Sequence, residues 1–415
     1  MNNAELLRPI LNDRTRSVNF FNGRLLSAED LTSEQASQRD HDALLGNAIG
    51  PGIVNGFEVE QDFASSPQAA TVLVRQGLAL NTRGDLLLLS EDVRLSLRPP
   101  AKSLTAAETF FVTCEPPQSG IYVSGEALYV LTASPSTAAQ GRAPVTGLGS
   151  QATPCQAAYR AEGVKFRLVE LPISTAELGV GDVLRNRVAG ACLGIDGLRA
   201  SVTDPFGLPA DTGLIEQMRS AEQLTACEIP LAVLHWSSSL GIRFVDMYSV
   251  RRRPPGSASD ILGLLNGITS AREDALGLQF QDQVDWLRTR NLLRTARARQ
   301  FFDFLPAAGL LPVATPSWPD GAEFTTFFDG ITYNSPTFVE GARLRIILDQ
   351  VKEYLPIDLA SGELVRLHPI RQNRQLLDRN GPGAARPYLL FVTGFAPDFS
   401  DPHYNVSRVE YSNFW

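Results

Sequence analysis

The sequence predicts an α+β fold: a β-rich antiparallel sandwich or barrel in the N-terminal half, a helical middle and a mixed α/β C-terminal domain. Three observations predict it. Short apolar or alternating runs, separated by turn residues, fill residues 50–250. Arg251-Arg252-Arg253-Pro254-Pro255-Gly256 then interrupts regular structure with two prolines and a glycine, the arginines keeping the break solvated. Beyond it, Leu276, Phe280, Val284, Leu287 and Leu292 recur near helical spacing.

The elements follow in order. Residues 1–17 are polar and form an N-terminal arm, a segment that orders only against a neighbour. A helix is expected over 27–45, with Ser27 as N-cap and Asp30 completing a variant capping box; Gly46 and Gly50-Pro51-Gly52 end it. Residues 70–76 and 85–89 flank the turn Asn81-Thr82-Arg83-Gly84 as in a β-hairpin, and 93–97 alternates like a half-buried strand. Further strands are expected at 109–113, 128–132, 164–171, 230–236 and 242–250. The stretch 134–157, rich in Pro, Ser, Thr, Ala and Gly, reads as a long loop, and 213–226 as a short inserted helix. Helices are expected at 259–268 and 272–304. The arginines at 288, 290, 294, 297 and 299 would favour the negative end of the second helix's dipole. The last region adds a helix near 339–354 and a strand at 388–393. The chain thus divides into an arm (1–17), a β-rich region (18–250), a helical oligomerisation segment (257–305) and a peripheral mixed domain (306–415).

Composition bounds the function. The chain has 415 residues and 44% hydrophobic content, enough for two or three domains with their own cores. A formal charge of −8 argues against nucleic-acid binding as the main task. Lys102, Lys165 and Lys352 are the only lysines, so arginine supplies nearly all positive charge. Its planar fork suits bidentate interface contacts, and a GC-rich genome gives the same bias. The four cysteines (Cys114, Cys155, Cys192 and Cys227) form no CxxC pair and give no disulfide framework; a buried thiol is the default for Cys114. Residues 1–9 lack the apolar core of a secretory signal and no run reaches membrane-spanning length, so a cytoplasmic origin is expected.

Catalytic motifs are missing: there is no phosphate loop, nucleophile elbow, HExxH helix or dinucleotide turn. His41, His235, His368 and His403 are far apart, and His235 beside Trp236 fits a hydrogen-bonded core histidine better than a metal ligand. Glu58, Glu60 and Asp62 could work as paired carboxylates, but alternation puts Glu58 and Glu60 on one strand face, where a water-facing edge is the plainer account. Asp398, Asp401 and His403 read as a solvated loop. Arg83-Gly84-Asp85 spells an adhesion tripeptide at a hairpin tip, and Asn405-Val406-Ser407 a glycosylation acceptor without a secretory context. No cofactor or metal is expected, and an enzyme is the least favoured class. The triple arginine could form a solvated linker or bind a partner's carboxylates. Phe301, Phe302 and Phe304, with Phe324, Phe327 and Phe328, suit a core. Phe20-Phe21 and the terminal Phe414-Trp415 suit subunit contacts, where large aromatics act as anchors.

Residues 18–59 carry the most information. Phe21-Asn22-Gly23-Arg24-Leu25-Leu26 spells F-N-G-x-L-L; Asp30, then Glu34-Gln35 with Arg39, follow, and Gly52 to Val59 spells G-x-x-x-G-F-x-V. This pattern resembles the N-terminal signature of baseplate-associated proteins of contractile injection systems, the phage-tail-like machines of bacteria. More remotely, it is similar to the trimeric adaptor of type VI secretion baseplates. The family's His-Asn pair in the helix is replaced by His41-Asp42. A second match lies at 229–236, followed by 242–246; the resemblance covers residues 18–250. It implies a structural subunit, made in the cytoplasm and assembled into a tail-like particle. Such a subunit would be a homotrimer docked to the baseplate wedge and other tail subunits. Its C-terminal region would carry a fibre or cage protein, or reach a membrane only indirectly. The candidate interface residues are Phe20, Phe21, Asn22, Gly23, Leu25, Leu26, Arg251, Arg252, Arg253, Phe414 and Trp415. The competing expectation is a receptor- or carbohydrate-binding tail protein that stacks sugars on Trp318, Tyr333 and Phe328.

Overall fold

The structure of the protein, a computed structural model, describes residues 17–19, 21–22, 25, 27–62, 70–98, 111–113, 121–144, 155–179, 181–196, 213–254, 263–316, 318–352, 354–371 and 387–401. It is an α+β fold of open, mainly antiparallel sheets; the described strands do not close into a barrel. Helix α1 (Ala28–Ile49) starts at the expected capping box: Ser27 Oγ accepts the Asp30 amide at 3.1 Å and the Asp30 carboxylate accepts the Ser27 amide at 3.1 Å.

Six short strands follow: β1 (Gly52–Gly56), β2 (Val59–Gln61), β3 (Thr71–Val74), β4 (Gly77–Leu80), β5 (Leu86–Leu89) and β6 (Val93–Ser96). They form two three-stranded sheets, β1-β4-β5 and β2-β3-β6. The hairpin therefore pairs 86–89 with 77–80, not with 70–76. Arg75 and Gln76 interrupt pairing, and β3 joins β6 in the other sheet. The motif segment Gly52 to Val59 is similarly split, between β1 and β2. Buried Phe57 adopts φ 56°, so the chain turns from one sheet into the other there.

The largest sheet is built from β7 (Phe111–Thr113), β8 (Glu126–Gln140), β11 (Tyr159–Glu170), β12 (Ile229–Ser237) and β13 (Gly241–Asp246), in the order β11-β8-β12-β13 with β7 also on β8. A two-residue pair, β9 (Ala143–Pro144) with β10 (Cys155–Gln156), lies between β8 and β11 in sequence. The expected loop from Ser134 is corrected here: β8 runs on to Gln140, paired throughout with β11. Pro135, Ala138 and Ala139 lower strand propensity, but a twelve-residue partner overrides them, and Ser134 and Ser136 are buried. One face of this sheet packs Tyr129, Leu131, Leu234 and Trp236 against Ile53, Phe57, Val72 and Leu87 of the small sheets. The other packs Leu128, Val130 and Val233 under helices α2 (Thr175–Leu178), α3 (Leu184–Leu193) and α4 (Leu214–Ser220). With layers on both sides, all nine residues of β12 are buried, which explains its unbroken apolar run.

The C-terminal half repeats this logic. Its elements are α5 (Gly263–Thr289), α6 (Ala298–Phe301), β14 (Phe304–Leu305), β15 (Ala308–Pro312), α7 (Phe324–Phe327), β16 (Val339–Glu340), α8 (Leu344–Val351), β17 (Ile357–Asp358), β18 (Val365–Arg371) and β19 (Tyr388–Thr393). The sheet order is β15-β19-β18-β16, with β16 parallel to β18. Leu367, Leu389 and Phe391 face Phe280, Phe302, Phe327 and Phe328, while Leu390 and Val392 face Ile347 and Val351. The two helices expected at 259–268 and 272–304 are one helix, α5, that stops at Thr289. Asn291 at φ 58° caps the change of direction, a conformation asparagine tolerates. The arginines beyond it serve ion pairs instead of the helix dipole: Arg294 with Glu323 at 3.6 Å and Arg297 with Asp329 at 3.4 Å.

Three neighbours on α3 join the halves. Arg185 bonds Asp246 at 2.7 Å and also reaches Asp282 of α5. Asn186 Oδ1 accepts the amides of Asp303 (2.9 Å) and Phe304 (3.0 Å), and its Nδ2 donates to the Phe304 carbonyl at 3.0 Å. Arg187 pairs with Asp303 at 2.6 Å. Among the described residues, no helix is long and apolar enough to cross a membrane.

Candidate docking surface

Helix α1 is attached to the body mainly near its C-terminal end. Gly46 sits on the β4–β5 turn, where a Cβ would lie 2.1 Å from the Gly84 carbonyl oxygen, so only glycine permits this approach. At the other end the Val18 amide donates to Glu34 Oε2 at 2.8 Å, laying the preceding chain along the helix. In between the helix is bare: Ser37 and Gly46 are its only buried residues, while Leu31, Leu44, Leu45 and Ile49 are exposed. A helix of 22 residues is about 33 Å long. Ahead of it Phe21 is 64% and Leu25 93% exposed, and Asn22 is exposed. Phe20, Gly23 and Leu26 lie outside the described residues, as do Phe414 and Trp415. On the adjoining sheet Val54, Leu86 and Leu88 are exposed too. Glu29, Asp30, Glu34, Asp40 and Asp42 against the single Arg39 make α1 strongly acidic.

The triple arginine divides. Arg251 donates to the Gly56 carbonyl and lies 4.0 Å from Glu58; Arg252 donates to the carbonyls of Arg251 (3.2 Å) and Ser249 (3.4 Å). Its own carbonyl accepts the Ile53 amide at 2.8 Å, so the segment runs against β1. A Cβ on Gly52 would come within 2.6 Å of Arg253 backbone. The expected solvated break therefore fails at Arg251 and Arg252, whose charges are partly buried, while Arg253 is exposed. Local composition could not reveal this for Arg251, whose acceptor Gly56 is about two hundred residues upstream.

The other candidates resolve into structural roles. Glu60 and Asp92 both pair with Arg75, at 3.0 and 2.8 Å, and Asp62 pairs with Arg94 at 3.2 Å; these are cross-strand ion pairs. Asn81 Oδ1 accepts the amides of Arg83 (2.9 Å) and Asp85 (2.8 Å), so the adhesion tripeptide is turn chemistry. His235 is buried against Phe244 and 3.5 Å from Glu126; burial holds its pKa below the ordinary value. Asp398 binds Ser400 and approaches Arg366 at 3.7 Å, and His403 falls outside the described residues. Among the described residues no cluster of His, Cys, Asp and Glu could hold a metal. Phe328 is fully buried, which removes it from any sugar-stacking surface; Trp318 and Tyr333 are half-buried, and among the described residues of this half Phe338 and Phe395 are the exposed aromatics. Cys192 is a free, buried thiol, its pKa pushed up to about 12 by desolvation, whereas Cys227 is disulfide-bonded, a pairing that spacing did not reveal.

No protein-family model matches the chain, and no curated protein matches it either.

Proposed function

We propose that the protein is a structural subunit of a contractile injection system or phage-like tail, docked to the baseplate wedge through α1 and the residues before it. The observation that carries this reading is the bareness of α1. In globular proteins a helix draws most of its stability from packing an apolar face, and here Leu31, Leu45 and Ile49 on one side and Leu44 on another face water. Covering them, with Phe21 and Leu25, would contribute roughly 1.5–3 kcal/mol per fully buried side chain, offset in part by ordering the arm. The acidic helix calls for a wedge surface with an apolar strip and a basic rim. The F-N-G-x-L-L signature in the same segment supports the same assembly, with a homotrimer and a C-terminal fibre, cage or indirect membrane contact following from the resemblance.

The test is co-migration. Tagged protein in its native cells should travel with sheathed, tail-like particles on a density gradient. Phe21→Ala combined with Leu25→Ala should keep its melting temperature yet remain at the top of the gradient. Wild-type protein found only as free monomer, or a double variant that still co-migrates, would sink the reading.

A further inference from the structure

Buried arginines elsewhere in the chain are matched by carboxylates. Arg167 lies 2.6 Å from Glu228, which also accepts from Thr132 Oγ1 (2.8 Å) and the Thr225 amide (2.9 Å). Burial alone would raise the Glu228 pKa, but the Arg167 and Thr225 bonds bring it below its ordinary value. Arg185 is clamped between Asp246 and Asp282. Arg219 of α4 and Arg252 break this pattern. Both are largely desolvated, which lowers their pKa values, and neither bonds a carboxylate among the described residues. Arg219 Nε is buried without a partner, and Nη2 makes only a long 3.5 Å contact with the Glu228 carbonyl.

Arg219 and Arg252 both line one cavity of about 70 Å³, together with Gly52, Asn81, Pro230 and Glu216. Glu216 is the one carboxylate of the lining; it raises both arginine pKa values, while Arg272 and Arg219 press the Arg252 pKa down. The lining thus sets two cations against one anion, in a chain whose overall charge is −8. We propose that this cavity binds one small oxyanion, a carboxylate or phosphate group, between the Arg219 and Arg252 guanidinium groups. Its volume sets the size. About 10–15 Å³ of such space holds one water, so the cavity has room for a single small oxyanion. Charge-assisted bonds would give the unpartnered Arg219 Nε an acceptor and give both arginines the anionic partner that neither bonds among the described residues. A partner's carboxylate is the source that the docking reading supplies, and for that source the inference rests on it; free phosphate does not depend on it.

Thermal melting of the isolated full chain tests this in rising sodium phosphate, sodium acetate and sodium chloride at matched ionic strength. Binding to the folded state should raise the melting temperature with phosphate or acetate beyond chloride. Arg219→Gln should weaken the apparent affinity about tenfold or more, and Glu216→Gln should strengthen it severalfold. A response to acetate identifies a carboxylate site; a response to phosphate alone identifies a phosphate site. An equal response to all three salts, or the same response in wild type and Glu216→Gln, overturns the proposal, even if Arg219→Gln fails to fold. Failure here leaves particle co-migration untouched, and loss of co-migration leaves this melting result untouched.

Discussion

Helices α1 and α5 are similar in length, 22 and 27 residues, and opposite in surroundings. Along α5, Leu276, Phe280, Val284 and Leu287 are buried at spacings of three and four, and Glu273, Gln279 and Gln283 are buried beside them. Along α1 the apolar residues are as exposed as the acidic ones. One helix is held by what it buries, the other by its cap, its glycine seat and the chain laid along it. The lesson is that end signals suffice to announce a helix, whereas only the burial pattern says whether its own chain completes it.

The comparison can be broken at either helix. The largest effect should come from Phe280→Ala, which empties the centre of an aromatic cluster that includes Phe302 and Phe391 at ring distances of 5.2 and 5.1 Å. It should cost about 4 kcal/mol in urea denaturation; a loss below about 1 kcal/mol would mean that α5 is not the anchor described. A middle effect concerns pH. Burial pushes the Glu273 carboxyl from its ordinary 4.5 up to about 8, and the Asp274 charge adds to this; its Oε2 accepts the Ala307 amide at 3.1 Å. The folded state therefore holds this proton more tightly than the unfolded chain. Its stabilising effect is complete below pH 4.5 and is lost progressively as pH rises to about 8. Glu273→Gln should flatten the fall in melting temperature across that window, and an unchanged slope would assign the dependence elsewhere. The smallest effect should come from Leu45→Ala with Ile49→Ala, at most about 0.5 kcal/mol for each in the isolated chain. A larger loss in the same denaturation would show that α1 packs on the body after all.

Much of this was legible in the residues. The Ser27–Asp30 box, the strand at 388–393 and the core role of Phe301, Phe302, Phe327 and Phe328 follow from local chemistry and hydrophobic runs. Pairing partners did not. The hairpin strand Gly77–Leu80 is four residues long and contains a glycine and an alanine, so its strand signal is weaker than that of the run before it. The extension of β8 through Pro135 depends on β11, whose first paired residue, Tyr159, comes nineteen residues after β8 ends at Gln140. Among the interface candidates, Phe21 and Leu25 are exposed, while Arg251 turns inward because Gly56 of β1 supplies an acceptor that no local window contains. Arg219 carried no signal at all: a lone arginine on a short helix becomes notable only once the cavity beside it is known.

The placement of Arg185, Asn186 and Arg187 on a single helical turn has a further result. All three contacts leave one turn, so moving that turn away from the second core breaks them together. The two cores are consequently wired in series, and denaturant should melt them in one cooperative transition instead of two separable steps.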